Sequence, residues 1–267
     1  MEKTGSRGAG INLSLGAVSK VEVKESEIQI LEFFINNKNC DSPVVRLAFN
    51  HLVGVQPLHI TVHTNFDLPL GQGFGMSAAS AVSASYALAK ILGISNQEAM
   101  KAAHFAEIQL KTGLGDVIAS CFGGIEIRKE AGLPPWGMIE HIPGSLDLVL
   151  CVIGDQLDTS KILSDREKII DISHYGKYCI KKLLDNPTIE NLFSMSQLFT
   201  KKTRLAESRV NEAIDVAKNY GTGSMCMLGN SLFAYGDTDK LSKALSNFGK
   251  VYICKVDQYG AHVIRKD

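Results

Sequence analysis

The sequence predicts an α+β protein, and the order of its strand-like and helix-like segments is the reason. The N-terminal part mixes segments that alternate polar and apolar residues, which is typical of strands, with segments of helical periodicity. From Thr159 the chain is predicted to be helical, and a β-α-β-β pattern follows this helical block. The composition changes near Asp155, so we predict two domains, residues 1–154 and 155–267.

Composition and charge restrict the class of protein. Hydrophobic residues make up 45% and charged residues 21% of 267 residues, which is enough apolar material for a large core. Lys and Arg together number 28, as do Asp and Glu, so the balance predicts neither a nucleic-acid partner nor a membrane partner. The first residues have no apolar signal core, and the six cysteines show no Cys-x-x-Cys spacing. We therefore expect reduced thiols in a cytoplasmic protein.

The elements of the N-terminal half follow from local signals. Alternation predicts strands at residues 11–15, 18–23, 28–33, 59–66 and 125–128. Pro43 predicts the first turn of a helix that ends near Val53. Ser95 and Glu98 have the spacing of a capping box, so we predict a helix from Asn96 to Lys111. Residues 146–153 are so apolar that we expect a strand buried on both faces.

The C-terminal half is predicted to combine a helical block, a loop of small residues and a final set of strands around one helix. Helix breaks are expected near residues 186–187 and 194–196, and the last helix of the block is expected to stop at Gly221. Residues 221–231 are rich in small side chains and are predicted to be a loop. The remaining elements are a strand at 232–235, a helix at 237–248, and strands at 251–253 and 262–264.

Residues 68–79 form a glycine-rich connection between the predicted strand 59–66 and a helix at 78–92. Gly71, Gly73 and Gly75 let the backbone approach a ligand closely. The free N–H groups at a helix N-terminus favour an anion, so the segment is interpreted as a phosphate-binding loop. It is not a Walker A loop because no Lys precedes the helix, and it lacks the glycine spacing of a Rossmann loop. The alternative is a turn whose glycines serve packing.

Three polar residues outside this loop are candidates for a site, each with a structural alternative. Glu107 lies at the border of an apolar helix stripe, where it could also be a solvated residue. Asp116 follows two glycines, and it either caps a short helix or presents its carboxylate to a ligand. Glu126 and Arg128 alternate along a strand, so both face solvent or Arg128 turns toward a site.

Three segments, in this order, resemble the motifs of the GHMP kinases. Residues 69–79 are similar to the motif Pro-x-x-x-Gly-Leu-Gly-Ser-Ser-Ala-Ala. Residues 113–116 with 123–124 are similar to the catalytic-aspartate segment, and 221–224 with 228–229 to the third, glycine-rich motif. Residues 4–13 and the variant Gly-Phe-Gly-Met-Ser-Ala-Ala are similar to the archaeal pantoate kinase family. The resemblance implies a two-layer fold, with an N-terminal α/β domain of ribosomal-protein-S5-like topology and a ferredoxin-like C-terminal domain.

The resemblance also implies a reaction, in which MgATP phosphorylates the 4-hydroxyl of (R)-pantoate in coenzyme A biosynthesis. It implies that Ser77 and Glu107 hold Mg²⁺, that Asp116 orients and deprotonates the hydroxyl, and that Arg128 binds the substrate carboxylate. The residues implied to contact ATP are Pro69, Gly71, Gly73, Phe74, Gly75, Met76, Ser77, Ala78 and Ala79. Further implied substrate residues are Gly8, Gly10, Asn12, Gly223 and Ser224.

One departure from the family pattern concerns the N-terminus. The family ordinarily begins with another strand that contains a Pro-x-His-Ile-Thr-Gly-like segment. No histidine precedes His51, so we expect the usual first strand to be missing and assign its role to no residue. Two alternatives follow: a GHMP kinase for another small molecule, of homoserine or mevalonate type, or an ATP-binding protein inactive without that strand. Because superfamily members are often dimers, a homodimer is a possible assembly.

Overall fold

Three β-sheets form the framework of the computed structural model, which describes residues 1–157 and 165–264. The strands are β1 (Gly8–Ile11), β2 (Ala17–Glu25), β3 (Ile30–Ile35), β4 (Lys38–Asn39), β5 (Leu58–Phe66), β6 (Ile125–Glu130), β7 (Met138–Ile142), β8 (Asp147–Val152), β9 (Gly221–Met225), β10 (Ser231–Gly236) and β11 (Lys250–Lys255). The helices are α1 (Pro43–Val53), α2 (Met76–Leu92), α3 (Asn96–Leu110), α4 (Asp116–Phe122), α5 (Arg166–Asp185), α6 (Ile189–Thr203), α7 (Ser208–Ala217) and α8 (Thr238–Leu245).

The first sheet has the strand order β2-β5-β3-β4 and supports the glycine-rich connection. β3 and β5 are parallel and are joined through α1, whereas β2 is antiparallel to β5. Phe33, Ile60 and Val62 pack with Phe49 of α1 and Leu88 of α2 in one core cluster. This packing fixes α2 directly after β5, so its N-terminus opens at the end of that strand.

The second sheet, β1-β6-β7, is antiparallel. Its register places Gly8 of β1 opposite Arg128 of β6, and Gly10 opposite Glu126. Ile125 and Ile127 point the other way, into a core cluster that also contains Met76. The two faces of β6 are therefore different: one is apolar core, and the other presents two charged side chains to two glycines.

The third sheet has the order β11-β8-β10-β9, which is 4-1-3-2 in chain order and matches the ferredoxin-like β-α-β-β-α-β arrangement. β8 is buried along most of its length, as predicted, because it is a central strand covered on both faces. The predicted domain boundary at 154 and 155 stays a prediction. β8 lies before it in sequence, yet pairs with β10 and β11.

Several predicted boundaries are confirmed and others are wrong. The helix that starts at Pro43 ends at Val53, and Ser95 Oγ accepts a hydrogen bond from the Glu98 amide, as a capping box requires. The predicted break at 194–196 is wrong, because α6 continues through it and Ser194 Oγ donates to the Glu190 carbonyl. Residues 221–225 are strand β9 rather than loop, and residues 262–264 form no strand.

The predicted start of the helical block at Thr159 lies outside the described residues. Across the two described ranges, none of the helices is both long enough and apolar enough to span a bilayer.

Candidate active site

The glycine-rich connection ends at the N-terminus of α2 in a conformation that only glycine adopts readily. Gly71, Gly73 and Gly75 have φ angles of 69°, 75° and 66°. Gly75 is the N-cap of α2 and provides no side-chain hydrogen bond to the first turn. The amide groups of that turn therefore face the loop, where the positive end of the helix dipole favours an anion.

A turn from the C-terminal part, residues 226–231, supports this loop from behind. Ser231 Oγ donates a hydrogen bond of 2.6 Å to the Gln72 carbonyl. A Cβ atom added at Gly73 would lie 2.7 Å from the Met227 carbonyl oxygen, and one added at Gly229 would overlap the Gln72 backbone. Two glycines thus allow two backbones to touch, and the loop shape depends on residues far away in sequence.

Ser77 and Glu107 meet where α2 begins and α3 ends. Ser77 Oγ donates a 2.5 Å hydrogen bond to Glu107 Oε1, and Glu107 is only 2% exposed. Burial, opposed by the Ser77 hydrogen bond and assisted by the nearby Asp116 carboxylate, raises the pKa of Glu107 to about 7. The alternative of a solvated Glu107 is wrong, because its side chain is buried against Ser77 at the start of α2.

Asp116 lies between the phosphate-loop candidate and Glu107. It is the exposed first residue of α4, and the N-cap position belongs to Gly115. A Cβ atom added at Gly75 would lie 3.6 Å from the Asp116 Cβ. A Cβ atom added at Gly113 would lie 3.4 Å from Asp116 Oδ2 and would overlap Glu107 Oε2. Because Gly75 and Gly113 have no side chains, Asp116 can lie close to both the loop and Glu107.

Arg128 reaches the same place from β6. Arg128 is 8% exposed. A Cβ atom added at Gly115 would lie 2.6 Å from its Nε. Its Nη1 pairs with Oε1 of Glu126, which is fully buried. Burial raises the pKa of Glu126 to about 7, although the Arg128 charge opposes this. The alternative in which both side chains face solvent is wrong.

The segment before β1 closes this side of the site. The Ser6 amide donates to the Leu114 carbonyl at 2.9 Å, and Arg128 Nε donates to the Ser6 carbonyl at 3.3 Å. His104 Nε2 donates to the Thr4 carbonyl at 3.0 Å, and burial lowers the pKa of His104. These contacts fasten the N-terminal segment to α3 and to the turn before α4.

The other sequence-predicted residues divide into four groups, three of which lie at or near the loop and β1. Gly8 and Gly10 lie on β1 against Arg128 and Glu126, and Asn12 Nδ2 donates a 2.5 Å hydrogen bond to the Ala119 carbonyl, which holds α4. The loop residues that turn inward or pack against the core are Phe74, Met76 and Ala78, so only their backbone faces a ligand. Pro69 and Ala79 are partly exposed at the two ends of the connection.

Gly223 and Ser224 do not join the site. They lie in β9, and Ser224 is fully buried, with its hydroxyl 2.7 Å from Ser196 Oγ and 3.1 Å from Thr200 Oγ1. The segment that approaches the loop is the turn at residues 226–231. Sequence reasoning included this turn in a predicted loop but gave it no role at the site. It missed Glu126, for which the small residues opposite β6 were the available signal.

The geometry of the loop agrees with two comparisons of sequence. The family profile of the GHMP kinases N terminal domain matches residues 42–124. The pantoate kinase of Methanocaldococcus jannaschii is 33% identical over 257 residues, which cover 95% of this chain and 92% of that protein. This chain belongs to the pantoate kinase family of GHMP kinases. The pantoate kinase of Thermococcus kodakarensis is also 33% identical, with 91% of this chain and 83% of that protein covered.

Solved structures confirm the predicted GHMP kinase fold. A phosphotransferase related to the CoA biosynthesis pathway superposes with a TM-score of 0.86 at 28% identity, covering 96% of this family member and 89% of that chain. The mevalonate kinase of L. major, solved with R-mevalonate, gives a TM-score of 0.71 at 15% identity, covering 96% and 91%. At that identity the similarity establishes the fold alone.

Proposed function

We propose that the protein transfers the γ-phosphoryl group of ATP to the 4-hydroxyl of (R)-pantoate, a step of coenzyme A biosynthesis. The observation that carries this proposal is the position of Asp116. Its side chain lies next to Gly75 of the loop, where an added Cβ atom would be 3.6 Å away, and it follows Gly115, which lies against Arg128. ATP bound at the loop and an acceptor whose carboxylate binds Arg128 would therefore both lie next to Asp116. The identity to two pantoate kinases over most of the chain supports this acceptor.

The chain's own residues divide the work of phosphoryl transfer, which asks mainly for positioning and charge neutralisation. Backbone amides at the start of α2 would hold the phosphates. Asp116, which is exposed to the cleft, would orient the acceptor hydroxyl and accept its proton. The planar guanidinium of Arg128 suits a carboxylate, which fixes the opposite end of the acceptor.

Ser77 and Glu107 fit a magnesium ion. Mg²⁺ prefers a small number of protein oxygen ligands together with phosphate oxygens. The Ser77 hydroxyl and the Glu107 carboxylate are in contact, and burial disfavours the charged form of this carboxylate, so a bound cation would favour it. When bound, the ion would neutralise charge on the transferring phosphoryl group. ATP and pantoate are then the two substrates, and Mg²⁺ is the cofactor.

Two statements about the protein's setting remain predictions. We predict a cytoplasmic protein and a possible homodimer. Sedimentation equilibrium of the purified chain would measure the second directly: a mass of about one chain would contradict the homodimer.

The test of the proposed function is ADP release by the purified protein with ATP and Mg²⁺. Pantoate, homoserine, mevalonate and shikimate are offered separately, with a reaction lacking any acceptor as the control. We expect release with pantoate alone, and ³¹P NMR of the product should show a phosphate ester at the 4-position. Release with homoserine or mevalonate instead would replace the acceptor. Nucleotide binding without turnover on any acceptor would favour the non-catalytic alternative.

A further inference from the structure

Glu126 is a buried carboxylate for which the proposed reaction has no assigned role. It alternates with Ile125 and Ile127 along β6, and those two side chains complete the apolar core. Glu126 points to the opposite face, where it is fully buried, and its Oε2 has no hydrogen-bond partner among the described residues. A buried charge of this kind destabilises a fold unless it is paired well, so a purely stabilising role does not explain it.

The surroundings of Glu126 are shaped around its contact with Arg128. Glu126 Oε1 pairs with Arg128 Nη1 along the same strand face. A Cβ atom added at Gly10, directly across the sheet, would lie 2.8 Å from Glu126 Oε1. One added at Gly8 would lie 2.7 Å from Arg128 Nη2. The glycines of the neighbouring strand therefore leave space for these two side chains.

The guanidinium of Arg128 is held at two of its three nitrogens. Its Nη1 is bound by Glu126, and its Nε donates to the Ser6 carbonyl. Gly115, the residue before Asp116, lies against its Nε. Among the described residues the hydrogen bonds use Nε and one N–H of Nη1, so both N–H groups of Nη2 are left for a ligand. A long, flexible side chain is thereby restricted to one orientation beside the candidate catalytic aspartate.

We propose that Glu126 is a positioning residue for acceptor recognition: it holds the guanidinium of Arg128 so that the acceptor carboxylate meets a pre-oriented donor. This inference rests on the proposed function. Holding the side chain in place before binding reduces the conformational entropy that the acceptor must offset.

A double-mutant cycle tests whether Glu126 acts through Arg128. The four proteins are wild type, Glu126→Ala, Arg128→Ala and the double variant, each assayed for KM of pantoate, KM of MgATP and kcat. Removing a hydrogen bond to a charged group typically changes affinity about ten- to hundredfold. We expect a KM for pantoate raised by that factor in Glu126→Ala, with the KM for MgATP nearly unchanged. In the Arg128→Ala background the same substitution should have almost no effect, because its target is gone.

Matched variants exclude a merely structural role. Glu126→Gln keeps an oxygen that accepts from Arg128, so it should restore the KM for pantoate to within a few-fold of wild type. Glu140→Ala removes a glutamate from the adjacent strand, where it pairs with Lys129 at the surface, and should change none of the three constants. If Glu126→Ala fails to show a cooperative unfolding transition, Glu126→Asp, which withdraws the carboxylate by one methylene, takes its place in the cycle.

The outcomes separate this inference from the proposed function. If wild type releases no ADP with pantoate, the proposed function fails before any variant is compared. If wild type turns over pantoate, but the two substitutions have additive effects on KM, Glu126 does not act through Arg128 and the inference is wrong. Equal increases in the KM values for pantoate and MgATP would also overturn it, because they indicate a general distortion of the site.

Discussion

Residues 71–75 and 221–224 are both rich in glycine and small side chains, but they lie in opposite surroundings. The first segment has positive φ angles, forms no strand, and ends at the open N-terminus of α2 beside Glu107 and Asp116. The second is strand β9, paired with β10. Its Ser224 belongs to a closed set of hydroxyl groups with Ser196 and Thr200.

The difference shows what a glycine-rich segment needs in order to bind a ligand. β9 is an edge strand whose backbone pairs with β10 on one side, and the Gly223 carbonyl also accepts a hydrogen bond from Gln197 Nε2. At the N-terminus of α2 the amides of the first turn have no partner within the helix. Backbone amides available for an anion, rather than small side chains alone, distinguish the phosphate-loop candidate from a packing segment. Four substitutions sharpen or break this comparison.

The largest effect is expected at Asp116. Asp116→Ala removes the group that would position and deprotonate the acceptor, so kcat should fall by about 10² to 10⁴. ATP affinity should change little, because the loop amides remain. Steady-state kinetics and nucleotide titration measure the two quantities. Ser224→Ala is the control from the other segment, and its kcat should equal that of wild type; near-native turnover by Asp116→Ala would refute the catalytic assignment.

The second effect concerns the cost of the buried carboxylate at Glu107. Its folded pKa of about 7 exceeds the ordinary value of 4.5, so the folded state binds this proton more tightly, and its contribution to stability is lost as pH rises from 4.5 through 7. At 1.36 kcal/mol per pKa unit, Glu107→Gln should raise the free energy of unfolding at pH 8, without metal, by up to about 3 kcal/mol. At pH 4 the difference should vanish.

Urea denaturation at pH 4 and pH 8 measures this difference. The control is Glu140→Gln, which changes an exposed glutamate. Its free energy of unfolding should be close to that of wild type at both pH values. If Glu107→Gln is less stable than wild type at pH 8, the buried charge of Glu107 does not destabilise the fold and this interpretation is wrong.

The third effect compares one glycine from each segment. Gly73→Ala places a side chain at a φ of 75°, which costs about 1–2 kcal/mol, and against the Met227 carbonyl. Because 1.4 kcal/mol is a factor of ten in affinity, the KM for ATP should rise about tenfold or more. Gly223→Ala meets Ala234 Cβ at 3.3 Å, so it should reduce stability while leaving the KM for ATP unchanged. Equal KM values for the two variants would erase the distinction between the segments.

The smallest effect is expected at Ser231. Ser231→Ala removes the hydrogen bond to the Gln72 carbonyl, worth about 1 kcal/mol, so ATP affinity should fall by about fivefold at most. Ser196→Ala removes a comparable hydroxyl contact near β9 and should affect only the unfolding midpoint. Isothermal titration with a non-hydrolysable ATP analogue resolves such a change. An unchanged Kd in Ser231→Ala would show that the turn does not hold the loop in its binding shape.

Local signals were enough for the elements whose ends are fixed by neighbouring residues. Pro43 and the Ser95–Glu98 pair mark helix starts through contacts within one turn. Ser194 and Ser196 misled the prediction of a break, because serine competes for backbone hydrogen bonds in an isolated chain. In the folded protein Ser194 bonds to the carbonyl four residues earlier, so it does not interrupt the helix.

Local sequence predicted the parts of the site that are formed by consecutive residues. The loop at 71–77 and the Gly-Asp turn at Asp116 belong to this group, and their roles stay predictions. The burial of Glu126 depends on which strand pairs with β6. Alternation of polar and apolar residues defines the two faces of a strand but does not show whether the polar face is covered. The misplacement of Gly223 and Ser224 has the same origin: small residues suit a loop and a crowded strand equally, and pairing with β10 decided between them.

The hydrogen bond between Ser231 and Gln72 also bears on how the protein is made. The two residues are 159 positions apart, so the ribosome completes the glycine loop long before it synthesises the turn behind it. At about 5–20 residues per second, that interval is on the order of ten seconds. During it the N-terminal part of the nascent chain carries a phosphate loop without its support. Tight nucleotide binding is therefore expected to begin only when nearly the whole chain has emerged.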